Sequence, residues 1–370
     1  MRALVISHAC VARDNRAKWE LMARDGLADV ELHLPHHWPS WEHDYRPTPV
    51  EQPRFRIRIH HALRTGREDQ YFFAPKFSRG LGAGNFDILH VEQGTTAFVY
   101  LQALRERNRA SRKTKSCFFT WINWESRLRW PWTAVERFTL HHSEGAICGN
   151  GEAADILRRH GFRGKTAVIP QLGVDTDFYS PGSGVALRER LGLKAPVIGF
   201  IGRLVEEKGI RLLLDAAKKL DSPASLLILG SGPLESELLR FQNETRIQLV
   251  HVPAVPHDAV RDYIRAMDML VLPSFSTPRW KEQFGHVLIE AMACEVPVIG
   301  STSAAIPEVI GDAGLLFQEG SSDDLLLKLK TLMDSPSECT RLGKLGRERV
   351  LARFTNGQVA RQTVEFWKTL

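Results

Sequence analysis

Residues 271–301 read VLPSFSTPRWKEQFGHVLIEAMACEVPVIGS. An apolar run over 269–272 stops at Pro273, and a polar, proline-bearing loop continues to Gln283. From Gly285 to Cys294 apolar residues recur at helical spacing, and a second apolar run covers 296–299. The stretch therefore reads strand, loop, helix, strand. It also carries two glutamates, Glu282 and Glu290, on either side of Phe284 and Gly285. Gly285 falls at the loop-to-helix junction. The amides of His286 and Val287 then have no acceptor inside the helix, and such a terminus attracts anions. Glu282 stands in the loop before it. Glu290 lies one to two turns inside the helix, in reach of a hydroxyl pair on a group attached to that anion.

The same rhythm extends in both directions. Downstream of an irregular stretch at 171–196, strands are expected at 197–201, 225–229, 248–252, 269–272, 296–299 and 315–317. Helices are expected at 210–220, 234–243, 258–266, 285–294 and 323–333, and the chain from 337 onward reads helical with a break near 355–357. Upstream, strands are expected at 3–7, 30–34, 54–60, 87–91, 116–121, 146–148 and 167–169. Helices fall near 15–24, 96–107, 133–141 and 151–160. Strands alternating with helices predict a mostly parallel sheet covered on both faces. The fold class is α/β, with two doubly wound, Rossmann-like domains in tandem. The boundaries are 1–175, 176–350 and a terminal helical segment 351–370 that could pack on the first domain. Ligands bind such sheets beyond the carboxyl ends of the strands, and two facing domains would hold one in the cleft between them.

A second chemical signal is GRLVEEKG at 202–209. A strand ends at Gly202, and two cations follow, Arg203 and Lys208. Arginine is a bidentate fork and lysine a mobile point charge, a pair suited to a diphosphate. A third is LGSGP at 229–233, where Gly230 opens a tight turn between strand and helix. The pair Asp175 and Asp177 imitates a metal-binding DxD motif. It lies in the irregular stretch and not after a strand, so no metal site is assigned.

These residues together resemble the family-four retaining glycosyltransferases of the GT-B fold. The resemblance rests on GRLVEEKG, LGSGP, EQFGHVLIEAMACEVPVIGS (282–301) and IPEVIGDAGLLF (306–317). It extends to IPQLGVDTDFY (169–179), which is similar to the family's interdomain connector. It implies a nucleotide-diphosphate sugar as donor and co-substrate, with no further cofactor and no metal. Arg203 and Lys208 would neutralise the diphosphate, and the His286 and Val287 amides would touch the phosphates. Glu290 would hold the ribose hydroxyls and Glu282 the transferred sugar. The base would sit near Val255. Phe284, Gly285, Gly202 and Gly230 would line the donor site.

The first half matches the family in rhythm alone. Where many relatives place a histidine after a strand, this chain reads Thr120-Trp-Ile-Asn123-Trp124-Glu125. Asn123, the catalytic candidate, or Glu125 could take the histidine's hydrogen-bonding part, or the part could be absent. His8, in SHACVARDN, joins Trp124 and Glu125 as a candidate acceptor contact.

Charge is unevenly placed. Residues 1–170 hold 26 Lys+Arg against 18 Asp+Glu, and 7 of the 9 Trp and 11 of the 14 His, while the formal net charge of the chain is +6. Two stretches concentrate this character: Arg54, Arg56 and Arg58 with His60 and His61, and Arg127, Arg129, Trp130 and Trp132. A basic, tryptophan-bearing half suits an anionic or lipid-linked carbohydrate acceptor and peripheral contact with an anionic membrane. The alternation of Arg54, Arg56 and Arg58 with Phe55, Ile57 and Ile59 equally describes a strand with one wet face. No zinc-finger, RNP-type or helix-turn-helix pattern points to nucleic acid.

Composition agrees with a soluble globular chain: 43% hydrophobic and 25% charged over 370 residues. No apolar run reaches the length of about 18 residues that a transmembrane helix needs. The first residues read as a strand and not as a secretory signal. Five scattered cysteines without CxxC spacing suit a reducing cytosol, so a cytoplasmic protein that could sit peripherally at the inner membrane face is expected. The functional expectation is a retaining, metal-independent transferase using a UDP- or GDP-sugar in polysaccharide, glycolipid or envelope assembly. Two alternatives share the fold. One is a non-catalytic nucleotide-sugar-binding partner of a transferase. The other is a synthase or epimerase acting on a small sugar phosphate.

Overall fold

The computed structural model describes residues 1–39, 44–74, 85–110, 113–125, 128–245 and 247–370, without the side chains of 243 and 244. The chain forms two units. One holds Met1–Gly173 with Asn356–Leu370, and the other Val174–Thr355. The helix Pro336–Arg353 stays with the second unit, so the boundary expected at 351 falls inside a helix.

The sheet of the first unit has eight strands in the order Lys165–Val168, Gly145–Cys148, Lys115–Thr120, Ile88–Val91, Arg2–Ile6, Asp29–Pro35, Phe55–His60 and Val50–Glu51. All pairs are parallel except the last. The central strand Arg2–Ile6 is Leu/Val/Ile-rich and buried, as a parallel strand covered on both faces must be. Helix Gly151–Arg159 starts where the Asn150 side chain accepts the Ala153 amide at 2.9 Å. The final helix, Asn356–Lys368, buries Val359, Ala360, Thr363, Val364 and Trp367 on one face. Trp367 stacks on Trp19 of helix Ala17–Arg24, with ring centroids 6.0 Å apart.

The sheet of the second unit has six parallel strands in the order Gln248–Val252, Ser225–Leu229, Val197–Ile201, Met269–Leu272, Val298–Ser301 and Leu315–Phe317. The strand order reverses between Val197–Ile201 and Met269–Leu272. A crevice opens at such a switch point, beyond the strands' carboxyl ends. Helix Ile210–Lys218 buries Ile210, Leu213, Leu214 and Ala217, the spacing of an amphipathic helix on a sheet.

Two features depart from the sequence reading. The irregular stretch at 171–196 contains a helix, Val185–Leu191, too short for its period to show. Short antiparallel ladders, Trp38–Pro39 with Asp44–Tyr45 and Ala62–Leu63 with Phe72–Phe73, decorate the first unit. The basic strand decides between the two readings left open for it, in favour of one wet face. Phe55 and Ile57 are buried, and the arginines stand on the other face. Arg56 and Arg58 each lie 2.7 Å from Glu51, and Arg54 lies 3.6 Å from Asp29. Their charge is answered by neighbouring strands, so this run is an ion-paired sheet face and not an open anion patch.

Candidate functional site

In the second unit the loops that follow the two strands at the switch point lie side by side. The Phe275 amide donates to the Glu207 carbonyl at 3.0 Å and ties them together. This joins residues far apart in the chain: the Lys208 ammonium lies 2.6 Å from Glu282 Oε2. The Ser274 hydroxyl donates to the same oxygen at 2.9 Å. Glu282 is buried, so the ammonium and hydroxyl supply the partners that a buried carboxylate requires. The Trp280 ring faces the same ammonium, its centroid 5.0 Å from Nζ.

Gly285 caps the helix His286–Ala293 with φ +80°. A Cβ there would stand 2.8 Å from Leu272 Cδ2, so this left-handed, tightly packed position accepts glycine alone without strain. His286 and Val287 occupy the first turn, where amides lack intrahelical acceptors. Phe284 is buried against Phe354, 5.7 Å between centroids. At the neighbouring strand ends, a Cβ on Gly230 (φ +141°) would meet the Gly202 carbonyl oxygen at 2.0 Å. The two glycines thus let the turns after Val197–Ile201 and Ser225–Leu229 touch backbone to backbone. Arg203 follows Gly202, its side chain 66% exposed, with Glu207 4.0 Å away. Val255 lies half-buried in the loop before helix His257–Arg265, at the carboxyl end of the edge strand.

Glu290 is buried in the helix and has three polar neighbours. His257 Nε2 is 3.7 Å and His286 Nε2 3.8 Å from its Oε1, and the Tyr179 hydroxyl is close enough to favour the carboxylate. Tyr179 also approaches His257 Nε2 at 3.3 Å. Burial holds the Glu290 carboxyl above its ordinary range, against the opposing pull of His257 and Tyr179. The sequence reading missed Tyr179, His257 and Trp280. Trp280 alone had a signal, an aromatic residue in a polar loop two positions before Glu282.

The candidates of the first unit disperse. His8 follows the central strand, hydrogen-bonds Gln93 and packs on Trp38 at 4.5 Å between centroids. Beside it Lys18 and Glu92 form a buried ion pair at 2.6 Å. Asn123 is fully buried after strand Lys115–Thr120. Trp124 lines a small hollow with Thr95, Thr96, Thr120 and Ile122. Glu125 is 57% exposed and pairs with Arg159 Nε at 2.6 Å, a surface ion pair with helix Gly151–Arg159. Asp175, of the DxD look-alike, accepts the amides of Asp177 and Phe178 at 3.0 and 3.1 Å and so closes a turn. Of the second basic stretch, Arg127 lies outside the described residues, while Trp130 is 83% exposed beside the exposed Arg129.

Comparison with known proteins gives these units a lineage. Residues 23–178 match the family described as glycosyltransferase family 4, and residues 187–349 match glycosyl transferases group 1. An alpha-maltose-1-phosphate synthase of Mycolicibacterium smegmatis is 26% identical over 257 residues, 63% of this chain and 65% of that protein. A D-inositol 3-phosphate glycosyltransferase of Rhodococcus jostii is 29% identical over 225 residues, 56% of this chain and 48% of that protein. The matched region thus spans between about half and two thirds of these relatives' length. Among solved structures, sucrose-phosphate synthase from Thermosynechococcus elongatus superposes with a TM-score of 0.73 at 21% identity, over 100% of this chain and 98% of the other. Anabaena HepE in complex with UDP superposes with a TM-score of 0.76 at 17% identity, over 100% of both chains. The chain carries one glycosyltransferase family 4 domain and one group 1 domain, with the GT-B fold.

Proposed function

From these two domains we propose that the protein is a retaining glycosyltransferase, moving a sugar from a UDP- or GDP-linked donor to a hydroxyl acceptor. The observation that carries the reading is the Lys208–Glu282 contact at the switch point of the second sheet, beside the glycine-led helix that bears Glu290. A cation, a carboxylate and a helix N-terminus at one crevice match the parts of a nucleotide-diphosphate sugar.

The chemistry follows from charge. Breaking the bond between sugar and phosphate leaves negative charge on the diphosphate. Groups that meet that charge as it develops lower the barrier. Lys208 does so by moving from Glu282 to the departing phosphate, and the exposed Arg203 swings in from the adjacent strand end. The freed Glu282 accepts hydroxyls of the transferred sugar, and Glu290 accepts those of the ribose. Neither carboxylate takes the flanking positions of a retaining glycosidase pair. The acceptor attacks on the face from which the phosphate departs, and configuration is kept without a metal ion.

The acceptor we propose is anionic. Two relatives have names that include a phosphorylated sugar or polyol, and the first 170 residues carry an excess of basic groups. A lipid-linked carbohydrate of envelope or polysaccharide assembly is the second reading. The exposed Trp130 beside Arg129 favours it, since an aromatic ring with an adjacent cation suits a headgroup surface.

The test has two stages. A thermal-shift titration with UDP and with GDP should raise the melting temperature with one of them, because a ligand bound by the native state alone stabilises it. Radiolabelled transfer from UDP-glucose or GDP-mannose to inositol 3-phosphate, glucose 1-phosphate or a polyprenyl-linked sugar should then give product with the donor's anomeric configuration. A protein that binds neither nucleotide removes the donor site, and inversion removes the mechanism.

A further inference from the structure

We propose that Trp280 is the platform on which the transferred sugar of the donor rests, and that it sets the preference for a pyranose ring over a bare nucleotide; this inference builds on the donor-site reading above. The Lys208 ammonium has two neighbours in this state, the Glu282 carboxylate at 2.6 Å and the Trp280 ring at 5.0 Å. The second distance lies within the range of attraction between a cation and an aromatic face. The indole and the carboxylate thus border one position, now filled by an ammonium.

The ring is held there by a fixed turn. The Thr277 amide donates to the Trp280 carbonyl at 2.8 Å, and the Trp280 amide returns a bond to Thr277 at 3.4 Å. The turn is anchored in the unit by the Ser276 hydroxyl, 3.0 Å from that of Ser303, and by the Ser276 amide, which donates to Glu319. The indole itself is half-buried. A flat apolar face beside a carboxylate complements a pyranose. Such a ring offers C–H groups on its faces and hydroxyls on its rim. When a pyrophosphate draws the ammonium away, the indole and Glu282 remain as that pair of surfaces.

Position separates the sugar from the base as the stacked group. Val255, where the base is placed, follows the edge strand Gln248–Val252, and Trp280 follows Met269–Leu272, three strand spacings away. At about 4.8 Å per spacing that is roughly 14 Å across the sheet, too far for one ring to serve the base.

Calorimetric titration of the full chain and of Trp280→Ala and Trp280→Phe tests this, with UDP, GDP, UDP-glucose and GDP-mannose as ligands. Trp280→Ala should weaken the nucleotide sugar that the wild type binds by about tenfold and leave the matching bare nucleotide within about twofold. Trp280→Phe should recover most of the loss, since it keeps a flat apolar face. Equal loss for sugar-bearing and bare nucleotide would assign the ring to holding Lys208 or the base, and would overturn the proposal. Unchanged binding of the nucleotide sugar would overturn it as well. Wild-type protein that binds no nucleotide at all would instead remove the donor-site reading on which it rests.

Discussion

The ammonium of Lys208 and the carboxylate of Glu282 lie 2.6 Å apart although 74 positions separate them in the chain. Both groups are largely buried, so each is the other's counter-charge at this crevice. Lys208→Met should leave Glu282 without its cation and cost about 1.5–3 kcal/mol, the worth of a hydrogen bond to a charged group. The double variant Lys208→Met with Glu282→Leu should recover much of that stability, because no unpaired charge remains. Both proteins should lose transfer. Urea unfolding of the two variants and the wild type measures the coupling, and additive losses would show that the pair contributes nothing as a pair.

Glu290 should trade stability for binding. Burial raises its carboxyl above the ordinary value of 4.5. A carboxyl raised on folding binds its proton more tightly in the native state. The associated stability is present at pH below 4.5 and is lost as pH rises through the folded value. At pH 7 Glu290→Gln should therefore raise the melting temperature by about 2–4 °C, the shift expected for 1 kcal/mol in a unit of this size. The gain should shrink toward zero near pH 4. Affinity for the bound nucleotide should drop by about tenfold, since an amide accepts ribose hydroxyls less strongly than a carboxylate. A melting temperature lowered at pH 7 would contradict this assignment.

The first unit should be sensitive to mild acid. Burial lowers His33, pushes His60 and His90 down to about 3, and His60 Nε2 lies 2.8 Å from His33 Nδ1. A histidine whose folded value lies below 6.5 takes up its proton on unfolding. Its contribution is whole above pH 6.5 and is lost as pH falls from there toward 3. Each such proton removes about 1.4 kcal/mol per pH unit within that window. Calorimetry from pH 7 to 4 should show the melting transition of the first unit falling more steeply in wild type than in His60→Gln. Equal slopes would exclude the pair as its cause.

Trp367 closes the first unit from the far end of the sequence. It is buried and stacks on Trp19. Trp367→Ala should cost about 3–5 kcal/mol, the usual loss for a large core aromatic. Chemical unfolding should show the loss in the transition of the first unit, with the second unmoved. A loss below 1 kcal/mol would mean that the terminal helix is not part of that core.

Trp130, 83% exposed beside Arg129, should support salt-sensitive association with anionic vesicles. Flotation with phosphatidylglycerol vesicles should weaken between 50 and about 500 mM salt, as the screening length shrinks from the value of about 8 Å at 0.15 M. It should weaken further in Trp130→Ala. Flotation indifferent to both would dismiss the membrane reading.

Periodicity and junction chemistry were enough to determine two α/β units, nearly every long strand and helix, and the glycine-led helix between Glu282 and Glu290. These are local properties: side-chain period reports which face is buried, and a glycine before an apolar period reports a helix start. Partnership was decided by the tertiary structure. The alternation at Arg56 and Arg58 fits a cationic patch and a wet strand face alike, and the antiparallel strand Val50–Glu51 decides it by bringing Glu51 against both. Glu125 pairs with Arg159, and Glu290 acquired Tyr179 and His257 from segments distant in the chain. Such contacts depend on strand order and register, which sum interactions over the whole chain. No short window of residues contains that sum.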